Sequence, residues 1–346
     1  MTMAIEADGL EKTFGGIVRA LDGVSFAVPS GSIFGLLGPN GAGKTTAVRI
    51  LTTILAPDRG VARVLGYDVV AEAGAVRRSI GLAGQYAAVD ENLTGRENLA
   101  MVGRLNHLPR QVTARRATEL LEQFHLADAG DRTLKTYSGG MRRRLDVAAA
   151  LVAQPSVLFL DEPTTGLDPQ SRIDLWDTIE HLVEGGTTVL LTTQYLEEAD
   201  RLAHRVAVVD HGRVIAEGTP EELKAGMGTT VLDIGMDDTA TAAKVAQLLS
   251  GVGPKEPSVV GTTVEVPIDD GPRAAMEALR RLDQQGLIPA SFVLREPSLD
   301  DVFLALTGRP AEDLEAGAVA PADGRGDGRS GGRRRRRRAR TGEVAS

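Results

Sequence analysis

The chain has 346 residues, 42% of them hydrophobic, and this length and composition predict a folded protein of two or three domains. No cysteine occurs, which excludes a disulfide framework, a thiolate metal site and a cysteine nucleophile, and which fits a reducing compartment such as the cytoplasm. The net charge is −8, but residues 325–346 contribute nine arginines against two acids, so the rest of the chain carries about −15. This acidic balance argues against a main surface that binds nucleic acid, because neutralising phosphates needs a basic face.

The first predicted elements are strands that lead into a helix. Residues 3–28 have the pattern of short alternating strands, and SIFGLL at 32–37 has the pattern of a buried strand. A glycine-rich turn follows, and TTAVRILTTIL then has the periodicity of a helix.

The turn fits the phosphate-loop pattern of glycine, four residues, then Gly-Lys-Thr, in the strand–loop–helix setting that this motif requires. The loop's backbone N–H groups converge on phosphates, the lysine reaches the β- and γ-phosphates, and the threonine hydroxyl ligates Mg²⁺. A plain glycine turn is the alternative. The predicted ATP-binding residues are Gly38, Pro39, Asn40, Gly41, Ala42, Gly43, Lys44, Thr45 and Thr46, of which Lys44 is also a catalytic candidate and Thr45 a magnesium ligand.

Residues from about 95 to 150 are rich in helix formers and predict a mostly helical insert between core strands. Within it, the sequence YSGGM at 137–141 directly precedes the helical stretch MRRRLDVAAALVA. A serine and consecutive glycines at a helix N-terminus can form a second anion site. Taken alone, the segment is only a helix cap.

A short apolar run at 157–160 predicts a buried strand that ends in Asp161 and Glu162. Opposite a phosphate loop, Asp161 would hold Mg²⁺ directly or through water, and Glu162 would polarise the attacking water as the general base. A pair of acids that merely face solvent is the alternative. Another run at 188–193 predicts a further core strand, and the helical stretches between the runs predict a parallel sheet covered on both faces.

After Glu222 strands and helices alternate, which predicts a small α+β domain with a ferredoxin-like arrangement as one candidate. From Arg309 the chain has almost no large apolar residue and is predicted to be disordered. The six arginines at 333–338 would gain about 1 kcal/mol each near anionic lipid, although a solvated tail is the alternative. The predicted domains are 1–225, 226–309 and a basic tail at 310–346.

The N-terminus lacks the basic segment and apolar run of a secretory signal, and no stretch approaches the roughly 18 uninterrupted apolar residues of a membrane span. The most apolar region, 145–160, is interrupted by Asp146, Gln154 and Pro155. If the protein acts at a membrane, we expect another chain to supply the spanning helices.

The motifs follow one another in a specific order: the phosphate loop, Gln85, YSGGM, the Asp161–Glu162 pair and Asp168 in TTGLD. Over residues 3–225 this order resembles the nucleotide-binding subunit of an ATP-binding cassette (ABC) transporter. The resemblance implies an α/β phosphate-loop NTPase core with a helical signature subdomain. YSGGM resembles the family's LSGGQ signature, with Ser138, Gly139 and Gly140 in place and Met141 at its last position.

The resemblance also assigns roles to single residues. Phe14 would stack on adenine, although core packing is an alternative for a phenylalanine near a strand. Gln85 would reach Mg²⁺ and the attacking water. Two subunits would pair head to tail, so that the signature of one closes over the ATP of the other, with Asp168 at that interface.

Gln194 departs from the family pattern, because a histidine usually stands at this position after the last core strand. A glutamine can donate to the γ-phosphate and accept from a neighbour, but it cannot become a cation near neutral pH. We therefore predict that Gln194 is a neutral γ-phosphate contact and that Glu162 acts alone as general base. An inactive or regulatory site is the competing interpretation.

The segments GLAGQYAAVDENLTGRENL, TTQYLEEAD and REPSLDDVFLALTG resemble the daunorubicin/doxorubicin-resistance type of ABC ATPase. This implies a homodimer at the cytoplasmic face of the cell membrane, docked on a separately encoded permease and coupling ATP hydrolysis to efflux of drugs or antibiotics. Export of another amphipathic or lipid-like substrate, import, and a soluble ABC ATPase acting on ribosomes or DNA remain alternatives. A regulatory module that binds ATP without turnover is disfavoured by Glu162.

Overall fold

The computed structural model describes residues 2–84, 89–225, 230–269, 271–295 and 297–308. The strands in these ranges are β1 (Met3–Phe14), β2 (Val18–Pro29), β3 (Ile33–Leu37), β4 (Arg59–Val64), β5 (Tyr67–Asp68), β6 (Ile80–Ala83), β7 (Val157–Asp161), β8 (Thr188–Thr193), β9 (Arg205–Asp210), β10 (Arg213–Gly218), β11 (Thr230–Gly235), β12 (Ser258–Val260), β13 (Thr263–Ile268) and β14 (Ser291–Arg295).

The α-helices alternate with these strands through most of the chain. They are α1 (Lys44–Leu51), α2 (Ala73–Ser79), α3 (Gly95–Leu105), α4 (Arg110–Gln123), α5 (Gly139–Ala150), α6 (Pro169–Glu184), α7 (Leu196–Leu202), α8 (Pro220–Ala225), α9 (Thr239–Leu248), α10 (Gly271–Gln284) and α11 (Leu299–Thr307). None of the helices in the described ranges is long and apolar enough to cross a membrane.

A six-stranded sheet in the order β10-β9-β3-β8-β7-β6 forms the centre of the N-terminal part. The strands from β9 to β6 are parallel, and only β10 pairs antiparallel. Every residue of β3, β7 and β8 is buried, and successive side chains enter two different apolar clusters. Because side chains alternate across a strand, this sheet is covered on both faces, as predicted.

A second sheet, in the order β2-β1-β4-β5, is entirely antiparallel. The sequence pattern predicted short strands over residues 3–28, which is wrong, because β1 and β2 are 12-residue strands joined in a hairpin. Several register shifts interrupt their pairing, and these irregularities break the alternation that long strands otherwise show. The predicted helix after the phosphate loop ends at Leu51, because Thr53 adopts a left-handed conformation (φ 64°).

The predicted helical insert is present as α3, α4 and α5. These helices pack with α6 on one face of the central sheet, in a cluster that includes Leu99, Leu120, Phe124 and Leu145. A capping box at Thr94 and Glu97 starts α3. The insert therefore presents the start of α5, and with it the YSGGM segment, from a rigid helical base.

The C-terminal part forms its own four-stranded sheet in the order β12-β13-β11-β14, with all pairs antiparallel. With α9 and α10 it gives the βαββαβ order of a ferredoxin-like unit, which confirms the predicted small α+β domain. The tail at 310–346 lies outside the described residues, and the three domain boundaries stay predictions.

Helix α11 leaves this unit and packs against α7 and α8. Its apolar residues Leu299, Val302 and Phe303 share a buried cluster with Leu37 and Leu196. Leu37 directly precedes the phosphate loop and Leu196 lies two residues after Gln194. Helix α11 thus packs against residues that flank two predicted site segments, the phosphate loop and the segment with Gln194.

Candidate functional site

The parallel strands β3, β7 and β8 are neighbours in the sheet, so their carboxyl ends meet at one edge. In open α/β sheets, this edge is where ligands bind. The phosphate loop follows β3, the Asp161–Glu162 pair ends β7, and Gln194 follows β8. The topology therefore brings together three motifs that are up to 156 residues apart in the chain, from Gly38 to Gln194.

Two glycines of the phosphate loop have no room for a side chain. A Cβ at Gly38 would overlap the carbonyl oxygen of Val209. Gly43 has φ 110° and lies against the carbonyl oxygen of Ala20 on β2. Only glycine permits this close backbone approach at that conformation, so the loop can present its N–H groups at the start of α1.

Lys44 lies buried between the loop and the two acids. Its Nζ donates to the carbonyl oxygens of Gly38 at 2.6 Å and Pro39 at 3.0 Å. The same nitrogen is 3.7 Å from Glu162 Oε1. Burial lowers the pKa of Lys44, while the charges of Glu162 and Asp161 oppose that shift. The ammonium is thus held at the point where loop and acids meet.

Asp161 is 4% exposed and accepts two hydroxyl hydrogen bonds at one oxygen. Thr192 Oγ1 donates to Asp161 Oδ1 at 2.6 Å, and Thr45 Oγ1 donates to the same atom at 3.2 Å. A carboxylate beside a hydroxyl oxygen is the hard oxygen donor set that Mg²⁺ uses at phosphate sites. The predicted pair of magnesium ligands, Thr45 and Asp161, is therefore adjacent and of suitable chemistry.

Glu162 adopts a left-handed backbone conformation with φ 50°. This conformation is unfavourable for a residue with a side chain, and such strain concentrates at functional positions. Its N–H donates to the carbonyl oxygen of Thr192 at 3.1 Å, and the hydroxyl of Thr165 lies 3.4 Å from Oε2. The backbone turn directs the carboxylate toward Lys44 rather than along the strand.

Gln194 is 2% exposed, and its Oε1 has no hydrogen-bond partner among the described residues. The neighbouring Thr193 accepts from the Tyr195 N–H and its carbonyl accepts from the Gly38 N–H at 3.3 Å. The segment after β8 is thereby tied to the first residue of the phosphate loop. A buried amide at this position has one acceptor available for a donor such as water.

The signature residues stand at the start of α5. Ser138 caps the helix by accepting from the Met141 N–H at 3.2 Å. Both Ser138 and Gly139 are exposed, and a Cβ on Gly139 would meet nothing within 4 Å. Gly140 packs against Ser171, where a Cβ would come within 2.6 Å of Oγ. An exposed helix start with free approach to its N–H groups suits an anion brought by another molecule.

Asp168 caps α6 and is exposed. Its carboxylate accepts from the Ser171 N–H at 3.0 Å and the Ser171 hydroxyl at 2.7 Å. The Ser171 side chain and then its N–H hold the pKa of Asp168 below its usual value. Because Ser171 also contacts Gly140, the signature segment and the Asp168 segment touch within one chain.

Phe14 ends β1 with a side chain that is 41% exposed, so the core-packing alternative for this residue is wrong. It pairs with Val18 on β2, close to Ala20, which contacts Gly43 of the phosphate loop. Its position is compatible with adenine stacking, which stays a prediction. Gln85 lies outside the described residues.

Two residues at the site were not predicted from the sequence. Thr192 bonds to Asp161, and its place two residues before Gln194 in the TTQ run was the available signal. Arg143 on α5 donates to the carbonyl oxygens of Asp161 at 3.0 Å and Glu162 at 3.1 Å. The consecutive arginines at 142–144 gave no indication of which one faces inward.

Two known families match parts of the chain. Residues 21–165 match the family described as ABC transporter. Residues 218–307 match the C-terminal domain family described as ATP-binding protein DrrA1-3-like. The two matches cover the phosphate loop and the ferredoxin-like unit.

Individual relatives extend the similarity over most of the chain. It is 56% identical to the daunorubicin/doxorubicin resistance ATP-binding protein of Streptomyces peucetius, over 90% of this chain and 94% of that protein. It is 50% identical to the doxorubicin resistance ATP-binding protein of Mycobacterium tuberculosis, over 90% and 96%. It is 40% identical to the Nod factor export ATP-binding protein I of Paraburkholderia xenovorans, over 90% and 99%.

Solved structures show the same fold. One is the ATP-binding subunit of an ABC transporter, 27% identical with a TM-score of 0.59, covering 65% of this chain and 93% of that one. Another is a nucleotide-free ATP-binding cassette, 26% identical with a TM-score of 0.60, covering 65% and 94%.

The fold and the edge where β3, β7 and β8 end define a phosphate-loop ATPase of the ABC class. The chain belongs to the ABC transporter ATP-binding proteins of the daunorubicin/doxorubicin-resistance type. It is an enzyme that binds and hydrolyses ATP, and ATP-binding subunits of this class act with membrane permeases.

Proposed function

We propose that this protein powers an exporter of drugs or antibiotics, with the cargo path built by a separate membrane permease. The observation that carries the proposal is the meeting of Lys44, Asp161 and Glu162 at one sheet edge in a chain 56% identical to a daunorubicin/doxorubicin resistance ATP-binding protein. Lys44, Asp161 and Glu162 are all present at this edge, which supports turnover rather than nucleotide sensing alone. The protein would lie at the cytoplasmic face of the membrane as a peripheral subunit.

In the proposed mechanism, the loop from Gly38 to Thr46 holds the phosphates and Lys44 neutralises charge on the transferred group. Thr45 and Asp161, with Gln85, would hold Mg²⁺, which would neutralise charge on the phosphates. Glu162 accepts the proton of the attacking water. Gln194 donates to the γ-phosphate through its amide and accepts from water at Oε1.

The other half of each site would come from a second copy of the chain. Ser138 and Gly139 are exposed at a helix start, as a group that completes a partner's site must be. Asp168 is exposed and accepts from the Ser171 hydroxyl, and the next signature residue, Gly140, packs against Ser171. We therefore propose a head-to-tail homodimer in which the signature of one subunit covers the ATP of the other.

The test is efflux from cells that express this chain together with a candidate membrane permease. Accumulation of several amphipathic drugs is compared between cells with the wild-type chain and cells with Glu162→Gln. We expect lower accumulation of at least one drug with the wild-type chain only. Equal accumulation of every drug in the two strains contradicts drug export.

A second candidate cargo is a non-drug amphipathic or lipid-like molecule. The 40% identity to a Nod factor export ATP-binding protein over 90% of the chain supports it, because that relative is named for a different cargo. ATPase stimulation by drugs and by lipid extracts, measured on the reconstituted complex, separates the two candidates. Stimulation by lipid extract and by no drug favours the second.

A further inference from the structure

Arg143 joins the start of the signature helix to the end of the catalytic strand. It lies in the second turn of α5, five residues after Ser138, and its side chain is 12% exposed. All three nitrogens of the guanidinium group donate hydrogen bonds to other residues. The acceptors are Pro163 O at 2.7 Å, Asp161 O at 3.0 Å, Glu162 O at 3.1 Å, Gly84 O at 2.5 Å and Asp146 Oδ2 at 3.2 Å.

Three of these acceptors are consecutive carbonyl groups, at 161, 162 and 163. The middle one belongs to Glu162, whose left-handed backbone directs its carboxylate toward Lys44. A strained conformation persists only where the surroundings hold it in place. The Arg143 guanidinium bonds to the carbonyl groups of this segment, and the Thr192 carbonyl accepts from the Glu162 N–H.

The surrounding charges keep this cation in place. Burial lowers the pKa of Arg143, and the charges of Asp146, Asp161, Glu198 and Glu162 oppose that shift. A planar guanidinium can serve five acceptors at fixed angles, whereas a lysine ammonium is a point charge with three donors. A lysine at this position would keep the positive charge but lose the planar arrangement of five N–H donors.

We propose that Arg143 is a positioning residue that couples the signature segment to the backbone that carries Glu162 in the same subunit. The proposal rests on the proposed head-to-tail dimer, in which the signature serves one ATP and Glu162 the other. Movement of α5 when the signature engages the partner's nucleotide is then transmitted by Arg143 to the Glu162 segment and to Gly84 after β6. The coupling joins the two ATP sites through one side chain.

The first experiment compares Arg143→Lys with Arg144→Lys in the full-length chain. Arg144 is the next residue on the same helix, and the acceptor that its guanidinium reaches is Phe124 O, away from the site. We expect Arg143→Lys to lower kcat by about 10-fold or more while KM for ATP stays within about twofold, because a misplaced base costs turnover more than binding. Arg144→Lys should keep wild-type kcat.

A purely structural role would lower the melting temperature and the ATP affinity together. Both are therefore measured for the two variants, and kcat is repeated about 15 °C below the melting temperature of the weaker variant. An Arg143→Lys enzyme that recovers wild-type kcat under those conditions overturns the proposal. So does a kcat equal to that of Arg144→Lys.

The decisive experiment uses mixed dimers with two differently tagged copies, one of which carries Glu162→Gln so that a single active site remains. Arg143→Lys is placed either on the copy with the intact Glu162 or on the copy that supplies the signature. Coupling requires loss of turnover in both placements. Loss in one placement only overturns the proposal, because Arg143 then serves a single site.

The same series separates this inference from the proposed function. Wild-type turnover per subunit should rise with protein concentration as dimers form, and a flat dependence contradicts the dimer itself. If wild-type turnover rises with protein concentration and Arg143→Lys remains fully active, the results support the dimer and contradict the coupling role of Arg143.

Discussion

Thr192 and Asp161 share the shortest hydrogen bond at the magnesium-ligand pair, with 2.6 Å between Thr192 Oγ1 and Asp161 Oδ1. Thr192 is also the register partner of Asp161 across β8 and β7. The hydroxyl therefore fixes the rotation of the carboxylate, and the Thr192 carbonyl fixes the N–H of the next residue, Glu162. One residue of β8 thus orients both acids at the end of β7.

Thr192→Val removes this hydroxyl with almost no change of shape. We expect kcat to fall by about 10-fold and the Mg²⁺ concentration for half-maximal rate to rise, because residues that orient metal ligands contribute at this scale. ATPase rates over a series of Mg²⁺ concentrations check it. Thr192→Ser keeps the donor and should stay near wild type, and a fully active valine variant contradicts the orienting role.

Glu162→Gln keeps the size of the side chain and removes its ability to accept a proton. ATP binding should be retained, and kcat should fall by about 10²-fold or more, the scale of a general base. Phosphate release and equilibrium binding of a fluorescent ATP analogue measure the two effects separately. Strong residual turnover shows that another group acts as the base.

Much of this site could be predicted from the sequence, because its motifs are local. The phosphate loop needs a strand, specific glycines and a helix within about 20 residues, and all of these can be identified without tertiary structure. The Asp161–Glu162 pair follows an apolar run for the same reason. Thr192 and Arg143 could not be predicted in this way, because their roles depend on strand register and on which face of α5 meets the sheet.

The strands over residues 3–28 show another limit of the sequence. The pairing of β1 with β2 shifts register between Ala7 and Leu10 and at further points, so the two-residue alternation is lost along each strand. Helix α11 agrees with the predicted alternation of strands and helices after Glu222. Its packing on α7 and α8 was not predicted, because an apolar helix face does not indicate its partner.

Gln194→Ala and Gln194→His test the prediction that Gln194 is a neutral contact to the γ-phosphate. The alanine variant should lose turnover, because the γ-phosphate loses a donor. The histidine variant should gain a pH dependence near the ordinary imidazole pKa of about 6.5, which wild type and alanine lack at this position. Profiles of kcat/KM between about pH 5.5 and 8.5 show the difference. An alanine variant with wild-type turnover means that the carboxamide contributes nothing.

Phe303→Ala tests the support that α11 gives to the site. Phe303 is 1% exposed and lies in the cluster that contains Leu37 and Leu196. Removing a buried aromatic ring costs about 3–5 kcal/mol, so the urea midpoint should fall clearly. Leu306→Ala on the same helix is the control, because Leu306 is 44% exposed and its truncation should cost less than about 0.5 kcal/mol. Equal midpoints for the two variants contradict the packing role.

Because Glu198 is buried, we expect the stability of the protein to depend on pH. This carboxyl group on α7 is fully buried, and its Oε1 accepts from the Trp176 indole at 3.0 Å. Burial raises the pKa of Glu198, although the side chains of Thr193, Trp176 and Thr164 oppose the shift. The folded protein therefore holds this proton more tightly than the unfolded chain does. Its contribution to stability is complete below the ordinary carboxyl pKa and is lost as the pH rises through the raised value.

Glu198→Gln keeps an acceptor for the Trp176 indole and removes the titration. Between about pH 5 and pH 9, the wild-type free energy of unfolding should decline relative to that of the glutamine variant, because the wild-type carboxyl must ionise without water. Urea denaturation at a series of pH values measures the difference. Glu197→Gln, an exposed neighbour on the same helix, should follow the wild-type curve. Parallel curves for Glu198→Gln and wild type show that ionisation of Glu198 carries no cost to the fold.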